Sequence, residues 1–150
     1  MVARVTRIFI GPQESGPIQE VEEVEAIAGK GLKGDRYFDD RNEAHDPTLE
    51  VTLFSAEGLE AARVESGLDI TPEEMRRNLM TEGVTLSDLL GRRFSAGEVV
   101  FEGLEQNPPC AHLQQLAGKP LLKPMIEHGG IRARIVQGGT IRAGDEIQSL

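Results

Sequence analysis

One cysteine among 150 residues excludes an internal disulfide and any zinc site built from several thiolates. Packing alone must hold such a chain together, and a reducing compartment suits it. Basic residues are also scarce: 16 Lys and Arg face 25 Asp and Glu, a net charge of −9. A surface of that sign repels a polyphosphate backbone unless its cations are gathered into one patch, so nucleic acid is not an expected partner. No apolar run approaches the roughly 18 residues of a membrane span. The N-terminal MVARVTRIFIGP carries Arg4 and Arg7 inside its apolar stretch, which fits neither a secretion signal nor a membrane anchor. The expectation is a soluble, cytoplasmic protein with no membrane partner. No linker-like stretch divides the chain, so residues 1–150 read as a single domain.

What is present is a succession of short extended segments. Val2 to Ile10 mixes Val, Ile and Phe with Thr and Arg and predicts a strand, which the turn formers GPQESGPIQ end. Glu20 to Ala28, with Val21, Val24 and Ile27 among acids, predicts a second strand. GKGLKGDRYF then places three glycines in six residues, a loop able to adopt positive φ. DDRNEAHDP reads as an exposed, mobile loop. LEVTLF alternates Leu49, Val51 and Leu53 with polar partners, and Ser55 caps a helix AEGLEAARVES that stops at Gly67.

Thr71, Pro72 and Glu74 form a helix-start signal for a short helix that returns to extended structure at Leu79, Met80 and Val84. Thr85 to Leu90 gives one more turn. RRFSAGEVVFEGL and GTIRAGDEIQSL each set Ala-Gly-acid between extended runs and predict two hairpins, turning at Ala96-Gly97-Glu98 and Ala143-Gly144-Asp145. Between them, CAHLQQLA predicts two helical turns before Gly118. IRARIVQ predicts a strand with Ile131, Ala133 and Ile135 on one face and Arg132 and Arg134 on the other. Many short strands, few aromatics, glycine turns and short helices define the expected class: mainly β, a bent or closed β-barrel with a few short helices.

Cys110 is the first candidate for chemistry. It falls at or near the start of the CAHLQQLA helix, where the dipole and unpaired amides favour a thiolate, which is both a nucleophile and a soft metal ligand. A lone cysteine also reads as a small buried hydrophobe, and His112, two positions on, does not share its helix face. The second candidate is a basic set: Lys30, Lys33 and Arg36 in the glycine-rich loop, Arg76 and Arg77 before Asn78, and Arg132 with Arg134 beyond His128-Gly129-Gly130. Glycine-rich backbone and guanidinium forks suit phosphate or another oxyanion, although each Arg could equally pair with a surface acid.

Other chemistries find less support. GKGLKGD lacks the Gly-Lys-Ser/Thr of a nucleotide phosphate loop. No nucleophile elbow marks a hydrolase. Cys110, His112, His128 and His45 have zinc-compatible side chains at spacings of no regular motif. The runs EEVE and DDRNE read as solvated faces.

Taken in order, Gly34-Asp35-Arg36, VTLFSAEGLEA, Arg77-Asn78-Leu79 followed by Gly83, LLGRRFSAGEVVFEG, Pro109-Cys110 with its helix, and HGGIRARIVQGG resemble the MOSC domain. That module occurs at the C-terminus of molybdenum-cofactor sulfurases and as small stand-alone bacterial proteins. The resemblance implies a pyruvate-kinase-barrel-like β fold, a surface for the molybdenum cofactor (molybdopterin), and a cysteine, here Cys110, that carries persulfide sulfur or ligates molybdenum. It further implies that Gly34, Asp35, Arg36, Arg77, Asn78, His112, His128, Arg132 and Arg134 surround the cofactor.

The resemblance has two departures. Tyr37 stands where related sequences often have His. Asn107 stands where some have a second cysteine, which leaves single-thiol chemistry.

Three readings follow from this. One is a cofactor-binding or sulfur-carrier protein partnered by a cysteine desulfurase of the pyridoxal-phosphate type or by a molybdoenzyme. Another is a molybdenum-dependent reductase of N-hydroxylated compounds. The third is a barrel that binds an anion or a partner and has an inert thiol. Because the chain contains no iron–sulfur or flavin motif, a reductase would need an external electron donor, and the carrier is preferred.

Overall fold

The alternation of apolar and polar residues along IRARIVQ sets the architecture. In the computed structural model, which describes residues 2–38, 45–109 and 111–150, this segment is strand β9 (Ile131–Gln137). Ile131, Ala133 and Ile135 are buried, while Arg132 and Arg134 face outward. Strand β9 lies between β5 (Val51–Ser55) and β8 (Val99–Gln106), antiparallel to both. The sheet continues beyond β5 through β6 (Leu79–Glu82), β1 (Arg4–Ile10) and β2 (Gln19–Val21). On the other side, β8 pairs with β7 (Arg93–Ala96), which pairs with β11 (Ile147–Ser149).

Register shifts in β8 between Val100 and Phe101 and between Gly103 and Glu105 bend this eight-stranded sheet, as bulges do. It curls until an isolated Arg4–Glu146 bridge joins the start of β1 to the residue before β11. The ladder itself stays open. Of the two expected forms, the fold is therefore the bent sheet rather than the closed barrel. A smaller sheet of β10 (Gly139–Arg142), β3 (Glu23–Ile27) and β4 (Gly31–Leu32) adds Val24, Ala26, Leu32 and Ile141 to the same interior.

The opposite face of the sheet carries a second core. Phe9, Phe54 and Met80 pack there against helices α1 (Ala56–Ser66), α2 (Ala111–Ala117) and α3 (Leu122–His128) through Leu59, Ala62, Leu113, Leu121 and Met125. Helix α1 begins and ends where the sequence signals it. The Ser55 hydroxyl accepts from the Gly58 amide at 2.9 Å, and Gly67 closes the helix at φ 69°. The Thr71 box forms as well: Glu74 accepts from the Thr71 amide at 2.9 Å and the Thr71 hydroxyl accepts from the Glu74 amide at 3.3 Å. It opens only a 3₁₀ turn, Glu73–Met75.

Four expectations need correction. The predicted strand from Glu20 to Ala28 is two strands, β2 and β3, which break at Glu22 and belong to different sheets. GTIRAGDEIQSL turns at Ala143–Gly144 without forming a hairpin, because β10 pairs with β3 and β11 with β7. Shared turn chemistry does not fix the partner of the strand that follows. Val84 lies beyond β6 rather than in it. Helix α3 has no counterpart in the sequence reading, and Pro124 lies within it. Pro124 sits in the first turn, where its missing N–H has no intrahelical partner to lose. The DDRNEAHDP loop falls largely on residues 39–44, outside the described residues; its last member before Asp46, His45, hydrogen-bonds the buried Glu50 at 2.8 Å.

Candidate functional site

Five of the expected site residues meet at one cavity of about 110 Å³. Arg36 comes from the loop after β4, Arg77 and Asn78 from the approach to β6, His112 from α2, and Arg132 from β9. Strand register explains two of them. Thr52 of β5 lies opposite Arg132 of β9, so both side chains leave the outer face, and Asn78 just before β6 reaches the same Thr52. Arg76, Tyr37, Asn107 and an apolar rim of Leu49, Leu113 and Leu116 complete the wall.

The site is rich in cations. Arg36 lies over the Tyr37 ring at 4.5 Å, and its Nη1 is 3.7 Å from the buried Asp35. Arg76 donates to the Gly16 carbonyl at 2.8 Å and holds a left-handed backbone, φ 53°, unusual for a residue with a side chain. Burial lowers the Arg76 pKa below its ordinary range, and the charge of Arg36 lowers it further, against smaller opposing effects of Tyr37 and Asp35. Arg77 reaches the Gly129 carbonyl at 3.3 Å and the Pro108 carbonyl at 3.4 Å. The Arg132 Nε donates to Asn107 Oδ1 at 3.0 Å, and its Nη1 meets Glu105 at 3.2 Å. Among the described residues that line the cavity, none is acidic. Four arginines around one small cavity offer N–H donors of the kind that suit an oxyanion.

Several of the expected residues serve the fold around the cavity. Asp35 does not line the cavity; its buried carboxylate accepts the Gly11 amide at 2.8 Å and so fixes the loop that presents Arg36. Gly34, at φ 93°, supplies the turn before it. Asn78 borders the cavity with its amide already engaged, donating to the Phe9 carbonyl at 3.1 Å and accepting from the Thr52 amide and hydroxyl, both at 3.1 Å. His112 shares a hydrogen bond with Ser15 at 2.7 Å.

Arg134, two residues along β9 and hence about 7 Å away, meets Glu102 at 2.8 Å and stays outside the cavity. His128 pairs with Glu65 at 2.8 Å and lines a wider, separate groove of about 480 Å³ that contains Glu57 and Glu127 and, among the described residues, no Arg or Lys. The zinc-compatible set therefore does not assemble from its described members, since His45, His112 and His128 contact Glu50, Ser15 and Glu65 respectively. Cys110 lies outside the described residues. Sequence reasoning missed Asn107 as a wall residue, and no local signal marks it, because β8–β9 register alone brings it beside Arg132.

The chain is thus a bent, mainly β sheet that carries an arginine-lined cavity on its outer face. The family model described as the MOSC domain matches residues 40–148, and the chain belongs to that family. MOSC domains are associated with binding of the molybdenum cofactor. The same fold occurs in the YuaD protein from Bacillus subtilis, with a TM-score of 0.85 at 19% identity over 99% of this chain and 96% of that one. It also occurs in YiiM from Geobacillus stearothermophilus, at 0.75 and 17% over 99% of this chain and 75% of that one. YiiM from Escherichia coli gives 0.70 and 21%, over 100% and 70%. No curated protein matches the sequence.

Proposed function

We propose that this protein binds the anionic part of the molybdenum cofactor in the arginine-lined cavity and handles sulfur for it through Cys110. The observation that carries the reading is the convergence of Arg36, Arg76, Arg77 and Arg132 on a cavity with no acid among its described lining residues, in a chain of net charge −9. The donors fit the group. Guanidinium forks suit phosphate oxygens, and about 110 Å³, between three and four times the roughly 30 Å³ share of a water molecule, takes a phosphate-sized group. Leu49, Leu113 and Leu116 provide an apolar edge for the adjoining ring system. The cofactor, when bound, supplies a metal that exchanges oxygen and sulfur ligands.

The role of Cys110 rests on its position in the family pattern. As carrier, its thiolate attacks the outer sulfur of a donor persulfide, the donor thiolate leaves, and Cys110 holds the sulfur as its own persulfide until an acceptor takes it. A cysteine desulfurase is the class of partner that provides such a donor.

Metal and sulfur analysis of protein purified from cells that make the cofactor tests the proposal. Labile sulfur on the wild-type thiol, absent in Cys110→Ser at unchanged stability, supports the carrier. Molybdenum equimolar with protein and lost in Cys110→Ser instead assigns the thiol to the metal. Neither sulfur nor molybdenum, with a thiol that resists alkylation until the chain unfolds, makes Cys110 structural and defeats the proposal.

A further inference from the structure

Among the described residues that line the arginine cavity, Asn107 holds a buried side-chain nitrogen with no hydrogen-bond partner. Asn107, just after β8, is 5% exposed. Its backbone amide donates to the Gly130 carbonyl at 2.9 Å, and its Oδ1 accepts from Arg132 Nε at 3.0 Å. Its Nδ2 is buried and has no acceptor. Turning the amide over would set its NH2 against the Arg132 N–H, donor against donor, so hydrogen bonding fixes the orientation. An unpaired buried donor carries the full penalty of desolvation, and native structures keep few of them. A leucine of similar size would avoid that penalty.

We infer that Asn107 is a specificity-determining residue of this cavity, whose side-chain NH2 donates to an oxygen of the bound anion while its carbonyl aims Arg132 at the same group. The inference rests on the reading of the cavity as an anion site and names what that site selects. With Arg36, Arg76, Arg77 and Arg132 offering only N–H groups, and Asn107 adding another, the ligand group seated there is an acceptor on all sides, an oxyanion or a carbonyl. A group with an N–H or O–H at the Asn107 position meets a donor and is rejected.

Inorganic phosphate titrated into the 15N-labelled full chain tests this directly. The Asn107 side-chain pair is identified by its disappearance in Asn107→Asp, or in Asn107→Ser should the Asp variant not fold. That pair should shift saturably with phosphate, with the same midpoint as the backbone amides of Arg77 and Arg132. In either variant phosphate should bind about tenfold or more weakly, the usual effect of losing a hydrogen bond to a charged acceptor. Saturable shifts elsewhere that vanish in Arg77→Ala, with the Asn107 pair unmoved, would overturn the inference and leave the anion site standing. No saturable shift anywhere would overturn both.

Discussion

Asn78 shows how a polar residue at the edge of a site can belong chiefly to the fold. Its side chain ties the Phe9 carbonyl of β1 to Thr52 of β5 at the point where β6 begins, and it is buried. Replacing it with Ala leaves the Phe9 carbonyl and the Thr52 amide without that partner. Urea unfolding of Asn78→Ala should show a loss of about 2–6 kcal/mol, from two interrupted contacts at about 1–3 kcal/mol each. A loss below about 0.5 kcal/mol would mean that the local structure re-pairs these groups. Arg77 stands at the other extreme. It is held by the backbone carbonyls of Gly129 and Pro108 at 3.3 and 3.4 Å. Its removal should cost little stability and lower phosphate affinity by about tenfold or more, a division read by running both measurements on Arg77→Ala.

The short turns depend on a few contacts each. Glu74 closes the Thr71 box and also receives the Lys119 ammonium at 2.8 Å, which ties the 3₁₀ turn to the segment after α2. Burial raises its pKa, but Lys119 and the Thr71 amide and hydroxyl together outweigh it, so the carboxyl titrates below its ordinary 4.5. The stability that this carboxylate contributes is complete above the unfolded value of 4.5 and is lost as pH falls from there through the lower folded value. Thermal melting across the acid range should show wild type falling through that window and Glu74→Gln, already weaker at neutral pH, falling less.

At Gly130, φ is 88° and a Cβ would run into the Leu53 carbonyl of β5. Gly130→Ala should therefore cost more than the approximately 1 kcal/mol of an ordinary glycine change, about 2–4 kcal/mol, because the collision is with backbone. It should also weaken phosphate binding, since Gly130 sits between the Gly129 carbonyl that holds Arg77 and the strand that carries Arg132. Phosphate affinity unchanged in a folded variant would separate the two effects.

For the whole molecule, the net charge of −9 and the local cluster of arginines make opposite claims on an anion. If the cluster dominates, phosphate affinity falls as salt rises toward about 0.15 M, where the screening length is about 8 Å. If the overall charge dominates, salt relieves repulsion and affinity rises. We expect the fall, because four arginines line the cavity and no acid is among its described lining residues. Calorimetric titration at two ionic strengths decides the sign.

The same contrast separates what could be read from the sequence from what could not. The elements whose cause is local are legible in the amino-acid string: the alternation of β9, the Ser55 and Gly67 caps of α1, the Thr71 box and the Gly97 hairpin turn. Each depends on residues within a few positions of one another, so the signal is complete in the string. Long-range strand pairing set the rest: β3 and β10 leave the main sheet, Arg132 faces the cavity while Arg134, on the same face, meets Glu102, and Asn107 is left with an unpaired nitrogen. Those outcomes depend on which strand lies beside which and in what register, and pairing between segments tens of residues apart leaves no periodic mark in either one.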